Sequence, residues 1–296
     1  CSLDIFLKSD QFAIDHRQEG VYLCEQYEGK IEAQELVMTS GGGATNAAVS
    51  YARKGMAAAV IIEMGKDVAA EAILGELVKE RVDMSWVIQE AGETTAVSVI
   101  LLSGKGSSIV TYRGASRMLT VDDIPWDRLV AELKEDGWVH LTNVGGDREV
   151  ASQLIAWARE NGRKIYWNPG AGEKLPDQWP DVLQLNREEA SNFFGIEFRD
   201  DQVWRSEHCP TPAETILVIT DGARGGRVCH SGGCFWYEAI KTMVADSTGA
   251  GDAFGSGVVA ALIKGRDMAE AIELGKKQAA AVVGQIGAKV GLLRHV

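Results

Sequence analysis

Between residues 57 and 285 the apolar positions alternate between two patterns. Short continuous runs at 57–63, 137–141, 164–167, 182–185 and 216–220 have the look of strands buried on both faces. Segments 68–80, 148–160, 187–194, 253–263 and 268–285 instead carry their apolar residues at helical spacing. Strands alternating with helices predict crossover units. The fold class is therefore α/β, with a mostly parallel central sheet and helices on both faces. Ligands in such folds bind beyond the carboxyl ends of the strands.

Two stretches break the alternation. Residues 4–39 and 94–113 hold short β-rich pieces at 5–7, 20–25, 96–102 and 108–112, and Gly104-Lys105-Gly106-Ser107 reads as a hairpin turn. These pieces predict one small β-sheet built from two insertions in a single domain spanning 1–296. An antiparallel extension of the main sheet is the plainer alternative.

A chain of 296 residues, 46% of them hydrophobic, can bury a large core. Its 42 acidic residues against 30 basic ones give a formal charge of −12, which argues against a nucleic-acid groove. No run approaches the roughly 18 apolar residues of a membrane span, and no signal-peptide pattern is visible, so a cytoplasmic protein is expected. The five scattered cysteines, 1, 24, 209, 229 and 234, read as reduced thiols. Cys229, His230 and Cys234 with His208-Cys209 match no strong zinc spacing.

The chemistry concentrates in Asp246-Ser247-Thr248-Gly249-Ala250-Gly251-Asp252, just before the buried helical run 253–263. Small residues at a helix start leave amides uncovered, and with the helix dipole they make an anion site. Asp252 is the carboxylate beside it. Acids are favoured in any first helical turn, but a phosphoryl-transfer enzyme also needs a base there for an attacking hydroxyl. A second cluster, Gly41-Gly42-Gly43-Ala44-Thr45-Asn46-Ala47-Ala48, opens another small-residue helix ending near Lys54-Gly55. By itself it fits either a packed glycine turn or a loop that approaches a polyol, with Asn46 supplying hydrogen bonds. Asn186-Arg187-Glu188-Glu189 places Asn186 and Glu189 on one helical face, which fits a capping box as well as a metal-ordering pair.

Taken together, these motifs resemble the signatures of the ribokinase-like (PfkB) carbohydrate kinase family. The first signature runs from Gly42 to Gly65 through Asn46, Ala48 and Gly55. The second is 246–252 with Gly255 and Gly257, and Asn186-x-x-Glu189 lies between them. The resemblance implies ATP-dependent phosphoryl transfer to a hydroxyl of a small sugar. Asp252 would be the general base, and the amides of Gly249, Ala250 and Gly251 the anion hole. It implies Asp4, Gly42, Gly43 and Asn46 as the sugar pocket, with Arg113 facing phosphate or lying exposed. Asn186, Thr220, Gly222 and Gly225 would serve the nucleotide, and Glu189 would order Mg²⁺ through water. Asp246 and Thr248 match positions that hold a monovalent cation, K⁺, in many relatives. The small sheet would be a lid over the sugar and a homodimer clasp.

Family members carry an apolar strand ending in glycine ahead of the position matching Cys1. Its absence predicts an N-terminally shortened chain whose main sheet lacks one inner strand. A nucleoside kinase of the same superfamily is the main alternative, with Phe6, Phe12, Tyr22 or Tyr27 as base-stacking candidates. A non-catalytic sugar- or nucleotide-binding protein is a further one. A dinucleotide oxidoreductase lacks its Gly-x-Gly-x-x-Gly fingerprint here, and the Walker phosphate loop is missing too.

Overall fold

Strand β1, Ser2–Lys8, begins the chain in the middle of a four-stranded sheet. The computed structural model describes residues 1–90, 92–104, 106–145, 149–170, 173, 178–195, 211–230 and 233–294. A separate hairpin follows, β2 (Ala13–Arg17) with β3 (Gly20–Cys24), and then β4 (Glu35–Gly41) returns antiparallel to β1. Helix α1, Gly43–Arg53, leads to β5 (Ile62–Met64), α2 (Val68–Lys79) and β6 (Val87–Gln89). Strands β7 (Val97–Ser103) and β8 (Gly106–Tyr112) complete the first sheet in the order β4-β1-β7-β8. The two β-rich stretches thus meet in one sheet, as expected, while β2 and β3 form a ribbon of their own. Lys105 of the expected turn lies outside the described residues.

The second half supplies the main sheet. Helix α3 (Trp126–Glu132) precedes β9 (Trp138–Leu141), α4 (Glu149–Glu160), β10 (Lys164–Trp167), β11 (Val182–Asn186) and α5 (Arg187–Phe194). After them come β12 (Ile216–Thr220), the hairpin β13 (Gly226–His230) with β14 (Gly233–Tyr237), and helices α6 (Ala250–Ile263) and α7 (Met268–Val283). The order is β14-β13-β12-β11-β10-β9, with β9 to β12 parallel and the last two strands antiparallel. Helix α6 is buried along 253–261 between α1 and α7, because its face is made of Gly, Ala, Ser and Val. At Gly257 an added Cβ would stand 2.9 Å from Gly275 Cα of α7, so this helix crossing needs glycine.

Strands β5 and β6 form a two-stranded sheet separate from the six-stranded one. Among the described residues, β5 pairs with β6, extended by a bridge from Ala59 to Asp83, and β9 lies at the edge of its sheet. Residues 56–62 and 138–145 line opposite parts of one cavity of about 680 Å³. The apolar run 57–63 is strand only from Ile62.

The reading of all cysteines as thiols is corrected at Cys229 and Cys234, which form a disulfide. They face each other directly across the β13–β14 hairpin, with Cα atoms 4.1 Å apart. Spacing along the chain hid the pair, since neither short strand stands out by its apolar pattern. Cys1 and Cys24 are free, and His208 and Cys209 lie outside the described residues. Among the described residues, no helix is long and apolar enough to cross a membrane.

Candidate active site

Helix α6 starts three residues earlier than its apolar pattern predicts, so Gly251 and Asp252 stand in its first turn. Its N-cap, Gly249, has φ 76° and no side chain to cap the helix, and a Cβ there would sit 2.3 Å from Ala288 Cβ. Only glycine serves both conditions, and no side chain caps the amides of the first turn. One expected donor differs. The Ala250 N–H donates to Ser247 O at 3.2 Å, because the chain makes a tight turn into the helix.

Asp252 lines the cavity and is held by the other glycine motif. Its Oδ2 accepts Asn46 Nδ2 at 2.7 Å, joining residues 206 apart in sequence. Gly43 faces the same carboxylate: a Cβ there would meet Asp252 Oδ1 at 3.0 Å and Thr142 Cγ2 at 2.7 Å. Burial raises the Asp252 pKa above the usual carboxylate range, and the Asn46 bond and the nearby Lys289 charge pull it back. Asn46 is itself buried, and among the described residues its Oδ1 has no hydrogen-bond partner, leaving an acceptor inside the site.

Gly42, Gly43, Asp252, Glu189 and Arg113 all line the one cavity, along with Thr142, Asn143, Asn168 and Gly170, which the sequence did not single out. Asp4 behaves differently. It is buried behind the glycine turn, where Ser2 Oγ donates to Oδ1 at 2.7 Å and a Cβ on Gly41 would meet Oδ2 at 1.9 Å. Burial raises its pKa, against the hydrogen bonds of Ser2 and Ser98 and the charge of Lys289. Phe6 and Phe12 are core residues, Tyr27 is 87% exposed, and neither they nor Tyr22 line the cavity.

At the carboxyl edge of the parallel sheet, Asn186 and Thr220 are register partners at the ends of β11 and β12. Asn186 and Glu189 form a full capping box: Glu189 N–H donates to Asn186 Oδ1 at 2.8 Å, and Asn186 N–H donates to Glu189 Oε2 at 2.7 Å. The capping and functional readings are compatible, because Glu189 also lines the cavity and its pKa is raised, first by burial, against the Asn186 capping bond, and further by the charges of Glu188 and Asp252. The loop after Thr220 turns through Gly222 (φ 54°) and Gly225 (φ 97°), and a Cβ on Gly225 would strike Tyr237 O. Asp246 is buried, taking Thr248 N–H and Oγ1–H on Oδ1 and Gly287 N–H on Oδ2. Among the described residues, no group of three or more His, Cys, Asp or Glu side chains is arranged to hold a metal.

The parallel sheet with its antiparallel hairpin, the separate four-stranded sheet and the packed helices define a ribokinase-like α/β fold. The solved structure of Arabidopsis thaliana ribokinase complexed with ribose and ATP matches this fold with a TM-score of 0.75 at 19% identity, over 97% of this chain and 91% of that one. The ribokinase of Haemophilus influenzae is 27% identical over 265 residues, covering 88% of this chain and 86% of that protein. The adenosine kinase of Saccharomyces cerevisiae is 28% identical over 306 residues, covering 95% and 88%. The family model of pfkB carbohydrate kinases matches residues 11–293. This chain belongs to the pfkB family of carbohydrate kinases.

Proposed function

We propose that the chain transfers a phosphoryl group from ATP to a hydroxyl of a small sugar, in the manner of a ribokinase or fructokinase. The observation that carries this reading is the Asn46–Asp252 bond. It fixes a carboxylate of raised pKa beside the uncapped start of α6, in a cavity shared with Gly42 and Gly43. In this reading Asp252 takes the proton as the substrate oxygen attacks phosphorus. The amides of Gly249 and Gly251 stabilise charge on the transferred group. The orphan Asn46 Oδ1 accepts a substrate hydroxyl, and Asp4 acts behind Gly41 by fixing the turn. Asn186, Thr220, Gly222 and Gly225 line the nucleotide's path.

The donor set also fits magnesium held through water. Glu189 Oε2 is used by the cap, and Oε1 remains for a hydrated ion. When bound, the ion offsets phosphate charge. Asp246 and Thr248 are the positions for a monovalent cation such as K⁺.

The four-stranded sheet acts as a lid and as the interface of a homodimer. Met38, Ile5, Val99 and Val110 form one row across its strands, and Met38 and Val110 are 54% and 65% exposed. Sedimentation of the chain and of its Met38→Glu variant tests the dimer, which the variant should dissociate.

A screen of ADP release with Mg-ATP and ribose, fructose, 2-keto-3-deoxygluconate or adenosine tests the activity. Turnover with a sugar supports the reading. Preference for adenosine selects the nucleoside-kinase alternative, which the yeast relative favours. ATP binding without turnover on any acceptor refutes both.

A further inference from the structure

Lys289 has no part in the reaction as described, yet it is 2% exposed. Long cationic side chains are almost never buried unless they are paired. Its Nζ donates to Ser40 O, to Ser40 Oγ at 2.7 Å and to Thr45 Oγ1 at 3.0 Å. Those acceptors flank the glycine turn. Thr45 Oγ1 in turn donates to Gly41 O at 2.8 Å, Asn46 N–H donates to Gly42 O at 3.1 Å, and Asn46 holds Asp252. One ammonium therefore ties the C-terminal segment to the turn that aims the Asp252 carboxylate.

We propose that Lys289 is a positioning residue for phosphoryl transfer: its buried ammonium locks the 40–46 turn and balances the negative charges of Asp4 and Asp252. The proposal rests on the reading of Asp252 as the base. The charge of Asp4 raises the Asp252 pKa, and a nearby cation opposes that rise. The groups facing Asp252 are Asn46 from α1, Asp4 from β1, Glu189 from α5, Tyr166 from β10 and Lys289. Among the described residues, Lys289 is the cation that acts on Asp252, while Asp4 also feels the N-terminal amine of Cys1. Lys289 itself faces Glu76 of α2, which accepts Ser40 N–H at 2.6 Å, and Arg53 of α1. Burial lowers its pKa to about 8, so it is an ammonium throughout the range in which a carboxylate titrates.

The test compares the chain with Lys289→Gln, which keeps a donor without charge, and Lys289→Arg, which keeps the charge. Carbon-13 NMR of the aspartate carboxyls, with Asp252→Asn for assignment, follows titration without requiring turnover. The Asp252 titration should move to higher pH in Lys289→Gln and return towards its original position in Lys289→Arg. Where turnover is measurable, kcat/KM on the acid side should fall about tenfold in the glutamine variant. An unmoved Asp252 titration in a folded Lys289→Gln protein overturns the proposal. In the unmodified chain, a neutral amine at Lys289 Nζ while Asp252 ionises overturns it too, whatever the variants do. A coupled titration in a chain that turns over no acceptor would sink the proposed activity alone.

Discussion

Replacing Asn46 with alanine removes the one side-chain donor that holds Asp252 among the described residues. The 2.7 Å bond from Nδ2 to Oδ2 is charge-assisted, and such bonds contribute about 1.5–3 kcal/mol. Burial raises the Asp252 pKa, and Asn46 is the largest influence opposing that rise. In the proposed mechanism Asp252 works only when ionised, so activity should be lost as pH falls through this raised pKa. Losing the bond pushes the pKa higher still, and the acid limb of the kcat/KM profile must move to higher pH. At about 1.36 kcal/mol per pKa unit, the bond energy corresponds to a loss of about 10- to 100-fold in kcat/KM below the limb. On the alkaline plateau the loss should be smaller, leaving mainly misalignment and a lost substrate contact. The assay is coupled ADP release across pH for the chain and Asn46→Ala, with thermal melting to confirm folding. A folded variant whose limb stays in place would refute the reasoning, because Asn46 would then have no hold on the base.

Gly41→Ala puts a methyl 1.9 Å from Asp4 Oδ2, so either the carboxylate or the turn must move. Overpacking of about 1–3 kcal/mol predicts a sugar KM raised about 10- to 100-fold, read by steady-state kinetics. Cys229→Ser should cost about 2 kcal/mol by the short-loop closure estimate, lowering the thermal midpoint by a few degrees. A reductant should lower the midpoint of the unmodified chain similarly and leave the variant unchanged. Rates in potassium salts should exceed those in sodium or tetramethylammonium salts if a cation sits by Asp246 and Thr248, and equal rates would remove that site.

Elements with strong local signals are legible in the amino-acid sequence. The parallel strands from 138 to 220 follow from continuous apolar runs, and α6 follows from its small-residue face with the glycines ahead of it. The short hairpin β13–β14 and the strand β4 are not legible, because their stability comes from ladder partners rather than from their own pattern. The site divides the same way. Asp252, Gly43 and Asn46 stand out as members of two separate motifs. The bond joining them spans 206 positions and is set only by how α1 packs on α6. Asp4 reads as a cavity residue, but the close approach of Gly41 places it behind the turn. Lys289 gives no signal, since a lone lysine near a chain end is ordinarily a solvated one, and only its burial against Ser40 and Thr45 reveals it. Ala250 looks equivalent to its glycine neighbours along the chain, yet its amide turns onto Ser247 O.

Asp252→Asn tests the central claim most directly, because it keeps the side chain's shape and removes the proton acceptor. ADP release by the chain and the variant, with ATP affinity measured alongside by calorimetry, separates chemistry from binding. The account predicts a fall in kcat on the order of 10²–10⁴ with ATP affinity essentially retained. A variant that turns over as fast as the unaltered chain would contradict it.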